Sequence, residues 1–402
     1  MRFRHLAAIA LASLTVVACG ASPVADQNTT SAAGAARAAS GGHVHGGPPP
    51  PAAPLRSGEW FKQVGLERPY RPTPPQGGMD DYRCFLIDPQ FDEAVYITGT
   101  QVLPQNQELM HHAILSRLDP SGVEHARSVD AADEGDGWQC FGGTGLSQGV
   151  GMHGGEASSE TYIGGWSPGH NETLLGDPAG YRVEPGSLIV LQVHYSLLTT
   201  GGAPGPTDQS SIRLRLMPGT ADVTPLKGLL LPAPVELPCT AEESGPLCER
   251  GKAIDDLVKR TGPQARDMIE QLNTLCNKGA VPAPGPTQHC DIPVRDPVLL
   301  YAVGPHMHLL GRSIKVDLNP GTPGERTLLH QRSYNFDDQS PQRLPRPLRL
   351  DAGDIVRVSC THDASLRSKL PELKPLPPRY VVWGDGTSDE MCLALLITAT
   401  KF

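Results

Sequence analysis

Two histidine patterns carry the chemistry of this chain: the adjacent pair His111-His112, and the His-x-His of His306-Met307-His308, each set in or beside a strand-like apolar run. Side chains at i and i+2 of a strand leave the same face, so His306 and His308 can bind one ion without distorting the backbone. Adjacent residues point to opposite faces, so joint ligation by His111 and His112 predicts a bulge or strand end just after Met110. Without that irregularity, only one of the pair can bind. His194, in Leu188-Ile189-Val190-Leu191-Gln192-Val193-His194-Tyr195, and Met391, in Asp389-Glu390-Met391-Cys392, can complete a three-His set and a His-His-Met set. Imidazole suits zinc, copper, iron and nickel alike, whereas a thioether favours Cu(I), so two separate sites of this composition point to copper. The competing readings are a methionine that fills a core, two unrelated strand histidines, and a His194 satisfied by hydrogen bonds in the core.

Strands must position these side chains. Forty prolines and 44 glycines imply many turns between short strands, and 402 residues suffice for two cores. Runs rich in Val, Ile and Leu predict strands at Glu93 to Val102, Leu188 to Leu197, Ser211 to Met217, Val298 to Gly304, Arg312 to Leu318, Asp354 to Ser359 and Cys392 to Thr400. The expected class is mainly β, with two packed antiparallel sandwiches. One segment is helical, Gly251 to Leu275, with Ile254, Leu257, Val258, Ile269, Leu272 and Leu275 in helical period and Thr261-Gly262-Pro263 breaking it in two. A net charge of -9 and the lack of any long basic cluster argue against a nucleic-acid partner.

The order of these motifs resembles the copper type II, ascorbate-dependent monooxygenases, the family of peptidylglycine α-hydroxylating monooxygenase and dopamine β-monooxygenase. The matching residues are His111-His112-Ala113-Ile114-Leu115, Leu191-Gln192-Val193-His194-Tyr195, His306-Met307-His308-Leu309-Leu310-Gly311 and Met391-Cys392, with Trp166-Ser167-Pro168-Gly169 at a comparable loop. The resemblance runs from about Asp80 to the C-terminus. It implies two consecutive jelly-roll-like sandwich domains, 57–208 with the electron-transfer copper on His111, His112 and His194, and 209–402 with the oxygen-binding copper on His306, His308 and Met391. Gln192 matches a glutamine proposed to serve electron transfer in the family; its alternative is an ordinary solvent-facing strand residue. The implied reaction inserts one oxygen atom of O2 into an activated C–H bond, using two electrons from ascorbate or another reductant.

Substrate identity does not carry over. Peptide-amidating members have an arginine two residues before the His-x-His, and an asparagine and a tyrosine two and four residues after the ligand methionine, where this chain has Gly304, Leu393 and Leu395. A small, apolar or differently anchored substrate is the expectation. The rivals are a non-catalytic periplasmic copper-binding lipoprotein with the same ligands, and a zinc hydrolase on the three-His site, which lacks an evident Glu base.

The N-terminus reads as an export signal, residues 1–19, with Arg2 and Arg4, an apolar run from Leu6 to Ala18 and a lipobox-like Val16-Val17-Ala18-Cys19-Gly20. Cys19 is the expected lipidation site, anchoring an exported bacterial cell-envelope lipoprotein in the periplasm or at the outer membrane. Residues 20–56, poor in bulky apolar side chains, read as a disordered linker in which His43 and His45 form a solvated pair. Removing Cys19 from nine cysteines leaves eight, which argues for disulfides in an exported chain. The resemblance implies Cys84 with Cys140 and Cys360 with Cys392; Cys239, Cys248, Cys276 and Cys290 then remain for each other. Those four bracket the helical insert, about 238–293, which has no counterpart in the animal enzymes and either covers the cleft or, the favoured reading, decorates the second domain. The remaining histidines, His125, His153, His170, His289, His330 and His362, show no partner pattern.

Overall fold

The computed structural model describes residues 51–75, 79–140, 144–146, 160–167, 171–176, 178–197, 206–336, 339–386 and 388–399. Cys19, His43, His45, His153 and Pro168-Gly169-His170 lie outside the described residues. The fold is mainly β, 43% strand against 15% helix, and its sheets are antiparallel apart from short pairings.

The central sheet has nine strands, in the spatial order Gln342–Leu350, Val298–His306, Leu393–Ala399, Lys227–Pro232, Glu160–Trp166, Met110–Leu118, Leu188–Ser196, Asp80–Ile87 and Trp138–Gln139. Both halves of the chain therefore contribute to one sheet, and they join where Gly228 pairs with Tyr162. A sheet built on Trp60–Gly65, Ser211–Pro218, Val95–Leu103 and Ala179–Val183 packs on the N-terminal part, with Ile97, Ile212 and Leu214 against Leu115, Leu191 and Val193. A four-stranded sheet of Thr287–Pro293, Ile355–His362, Gly311–Leu318 and Arg326–Gln331 packs on the C-terminal part, with Ile292, Val316 and Val358 against Leu300, Val303 and Leu396. Each such side chain contributes about 1.5–3 kcal/mol on full burial, so the two apolar cores hold the layers together. Ser211–Pro218, which falls at the start of the stretch 209–402, pairs with Trp60–Gly65 and Val95–Leu103 and packs in the first core.

Strand alternation decides where the site can form. Along Val298–His306 and its partner Leu393–Ala399, Val303, Ala394 and Leu396 point into the second core, while Ala302, Leu395 and Ile397 point into the first. His306 shares the parity of Ala302, so the face that carries it is turned towards the N-terminal half. The edge strand Gln342–Leu350 contains Pro345 and Pro347, which an edge tolerates because one side of its backbone has no ladder to lose.

All four cysteine pairs close: Cys84–Cys140, Cys239–Cys248, Cys276–Cys290 and Cys360–Cys392. The insert forms the helices Arg250–Thr261 and Gln264–Asn277, separated at Gly262, whose φ of +100° suits glycine, and Pro263. Their apolar face packs on Tyr82, Tyr380 and Val382. Within the stretch 20–56, the carbonyls of Ala53 and Pro54 accept from the buried Arg215, which also pairs with Glu59 and Glu172.

Candidate metal centre

Three neighbouring strands set the first ligand group. Tyr82, His194 and His112 stand opposite one another across Asp80–Ile87, Leu188–Ser196 and Met110–Leu118. The register of Met110–Leu118 shifts between Met110 and His112, so His111 is the extra residue of a bulge, the irregularity that an adjacent ligand pair requires. Both rings consequently approach His194, with centroids 4.7 and 4.9 Å from its own, and one ligand atom of each of the three lies within 4.8 Å of the others.

Hydrogen-bond partners place the protons. Asp80 Oδ1, 2.8 Å from His194 Nε2, accepts its proton and leaves the lone pair on Nδ1. Tyr82 stacks on that ring at 4.1 Å with its hydroxyl 3.1 Å from Nδ1, but the single hydroxyl proton goes to the carbonyl of Asp385, which can only accept. His112 Nδ1 stands 3.4 Å from His194 Nδ1. Two nitrogens each about 2.0–2.1 Å from one ion at a tetrahedral angle are about 3.3–3.4 Å apart, so this is the spacing of two ligands on one metal. Burial, reinforced by the surrounding imidazoles, keeps His112 well below the usual imidazole range and therefore neutral, the form that ligates.

The second group forms where Val298–His306 ends. The rings of His306 and His308 lie 5.4 Å apart, while Met307 between them is buried in the second core and exchanges both backbone hydrogen bonds with the Tyr334 hydroxyl. His306 Nδ1 donates to Gln339 Oε1 at 2.5 Å, and His308 Nδ1 to the carbonyl of Asp389 at 3.3 Å. Each bond leaves a lone pair on Nε2. Among the described residues His308 Nε2 is buried with no hydrogen-bond partner, an unmet acceptor that a metal ion would satisfy. Burial pushes His306 down to about 4 and lowers His308 as well, so both are neutral at pH 7.

Met391 belongs to the segment that holds His308. The buried Glu390 carboxylate accepts from the backbone N–H of His308 at 2.9 Å and of Leu310 at 2.5 Å. His362, 3.3 Å from Glu390 and 3.2 Å from the carbonyl of Met391, lies behind it. Burial alone would raise the Glu390 carboxyl; the hydrogen bond and charge of His362 bring it below the usual carboxylate range. Met391 itself is buried in the second core, and Cys392 ties its neighbour position to Ile355–His362 through Cys360. Imidazole nitrogen together with a thioether is the donor combination that suits copper.

The two groups adjoin. His112 is 5.9 Å from His306 and 6.5 Å from His308 between ring centroids, so five imidazoles form one continuous cluster rather than two distant ones. The segment after Arg326–Gln331 touches both groups: Tyr334 holds Met307, Phe336 packs 5.2 Å from His111, and Gln339 holds His306. The insert does the same. Its helices pack on Tyr82, and Arg260 forms an ion pair with Asp389, whose carbonyl takes the His308 proton.

Other residues singled out in the sequence fall elsewhere. Gln192 is buried, not solvent-facing, and among the described residues its amide bonds go to Cys140, with 3.5 Å to the carbonyl oxygen. His125, His289 and His330 are exposed. Asp80, Tyr82, Gln339 and Glu390 carry no local signal of a role in the sequence; His362 follows Cys360 by two residues on the same strand, the one local signal that it faces Cys392 and Met391. Gly304 and Leu395 pair directly, as do His306 and Leu393, so the positions that depart from the peptide-amidating pattern form an apolar surface beside His306.

Comparison with solved structures gives distant likenesses, among them an allantoicase at 12% identity, with 75% of this chain and 86% of that one covered and a TM-score of 0.19; allantoicase from Saccharomyces cerevisiae at 12%, 85%, 83% and 0.16; and vicilin from Solanum lycopersicum at 9%, 80%, 74% and 0.16. These carry no argument about fold or function. The family comparison is specific: residues 277–398, which contain His306, His308 and Met391, match the C-terminal domain of the copper type II ascorbate-dependent monooxygenases. Over this stretch the chain is matched to the copper type II ascorbate-dependent monooxygenase family, through that family's C-terminal domain.

Proposed function

We propose that the protein is a copper-dependent monooxygenase that hydroxylates an activated C–H bond of a small or apolar substrate, with the balance RH + O2 + 2e⁻ + 2H⁺ → ROH + H2O. The observation that carries this reading is the paired Nδ1 atoms of His112 and His194 at 3.4 Å beside the unmet Nε2 of His308, in a cluster of neutral imidazoles next to the Met391 segment. His111, His112 and His194 would hold one copper in an N-terminal domain, 57–208, and His306, His308 and Met391 a second in a C-terminal domain, 209–402. When bound, copper supplies the Cu(I)/Cu(II) redox chemistry and the activation of O2, with electrons from ascorbate or another external reductant.

The chain's own residues do the positioning. Asp80, Gln339 and the carbonyl of Asp389 each accept a hydrogen bond from a ring N–H and fix which nitrogen points inward. Glu390 clamps the backbone of His308 and Leu310 and so fixes the turn that presents the second group. Gly304, Leu393 and Leu395 give the surface beside His306 no charged anchor, which favours an apolar group near the reacting carbon. The same proposal keeps the exported, Cys19-anchored cell-envelope location, with substrate, O2 and reductant as the soluble partners. Copper stoichiometry and reductant-dependent oxygen uptake, compared between the wild-type chain and Met391→Ala, test the reading. Two coppers with uptake lost in the variant are expected. Two coppers without uptake under several reductants and substrates would favour a copper-binding protein, and zinc in place of copper would overturn both.

A further inference from the structure

A cavity of about 290 Å³ opens beside the first apolar core and contains none of the six candidate ligands. Leu175 and Ala179 line it from the N-terminal half of the chain, and Leu226, Ala302, Pro341 and Ile397 from the C-terminal half. Its charged groups are Glu172 and Arg343, and they are not equivalent. The Glu172 carboxylate is already engaged, accepting from Arg215 Nε at 3.0 Å, from Arg215 Nη2 at 2.9 Å and from the backbone of Ala53 at 2.8 Å. Arg343 is exposed, and among the described residues no carboxylate or hydrogen-bond acceptor holds it. Its guanidinium lies against the backbone of Gly176, where an added Cβ would come within 2.1 Å of Nη2. Among the described residues the cavity therefore offers one uncommitted cation, with Tyr301 also lining it, above apolar walls.

That combination selects a ligand with one negative charge and an apolar body. A guanidinium matches a carboxylate in a planar, two-pronged fashion, the walls favour alkyl or ring carbon, and a dianion would find only this one cation in a cavity that Glu172 also borders. We propose that this cavity binds a small carboxylate with an apolar body, and that Arg343 takes the carboxylate. Arg343 pairs with Ala302 in Val298–His306, four residues before His306, so the site lies roughly 13 Å along the strand from the histidine cluster. The proposal does not depend on the copper reading, and it is tested on metal-free protein.

Titration calorimetry on the full chain with octanoate and the neutral octanamide reads it directly. Octanoate should bind the wild type, with octanamide about tenfold weaker or more, because only the carboxylate offers the guanidinium an opposite charge and two acceptor oxygens in a two-pronged pair. Arg343→Gln, at an exposed position without partners to lose, should bring octanoate down to the octanamide level. Gly176→Ala should weaken octanoate several-fold by displacing the guanidinium while keeping it. Equal binding of the two ligands, unchanged octanoate binding in Arg343→Gln, or no binding of octanoate to the wild type would each overturn the proposal.

Discussion

Removing the Asp80 carboxylate should weaken copper at His111, His112 and His194 and leave His306, His308 and Met391 unaffected. The Asp80 oxygen lies 2.8 Å from His194 Nε2, and the His194 side chain is 0% exposed, so no solvent can replace the lost acceptor without a rearrangement. An unpaired buried N–H costs about 1–3 kcal/mol. The ring can avoid that cost by moving its proton to Nδ1, the atom that faces His112, but this consumes the lone pair needed for the metal. Either route predicts a loss of about 10- to 100-fold in affinity, the range found when a carboxylate behind a ligand histidine is removed. Asp80→Asn keeps an acceptor oxygen but loses the charge, and should fall at the lower end. The assay is competition with a Cu(I) chelator in a His306→Ala/His308→Ala background, where only the first group can bind. Wild-type affinity for Asp80→Ala in that background would refute the assignment of Nδ1 as the His194 ligand atom.

Three further outcomes follow from the same geometry. Because burial holds His306 at about 4 against 6.5 in the unfolded chain, the unfolded state binds more protons between these values; stability of the metal-free protein should therefore fall as pH drops from about 6.5 towards 4, and denaturant curves that stay level across this window would contradict the burial of a neutral His306. Replacing Cys360 and Cys392 by serine opens a loop of sequence separation 32 and should cost about 3–4 kcal/mol in chemical denaturation. The copper on His306 and His308 should weaken with it, since Cys392 adjoins Met391, and an unchanged second affinity would count against that linkage. Arg260→Gln should lower affinity at the second group more than at the first, by roughly tenfold, because Arg260 fixes Asp389 and Asp389 fixes His308; the exposed pair Arg266–Asp255 on the same insert provides the control variant, Arg266→Gln, expected to change neither.

Local pattern made much of this legible. The strand runs are found within a few residues of their predicted bounds: Val95–Leu103, Leu188–Ser196, Ser211–Pro218 and Leu393–Ala399 coincide with Val- and Leu-rich stretches whose burial the sequence already displays. The helix break at Gly262 and Pro263 follows from two residues that cannot continue a helix. The bulge at His111 was legible as a requirement of two adjacent ligands, and the register shift after Met110 supplies it. What pattern could not show is what long-range packing decides. Asp80, Tyr82, Gln339 and the Asp389 carbonyl are ordinary residues until the fold brings them within hydrogen-bond reach of a ring nitrogen. The contact of His112 with His306 depends on which face of Val298–His306 meets the first core, a choice made by the sheet that both halves share. The edge strand Gln342–Leu350 was missed because its two prolines argue against a strand, although its edge place removes that objection. The insert, read as decoration, packs on Tyr82 and pairs with Asp389 through contacts that no helical periodicity reveals.

The central claim is that five imidazoles and one thioether hold copper, and X-ray absorption on the Cu(I)-loaded chain tests it most directly. Nitrogen scattering at about 2.0 Å together with a sulfur shell that disappears in Met391→Leu, with histidine ligation retained, is the predicted result. A spectrum without sulfur in the wild type, or a sulfur shell that survives in Met391→Leu, would contradict it.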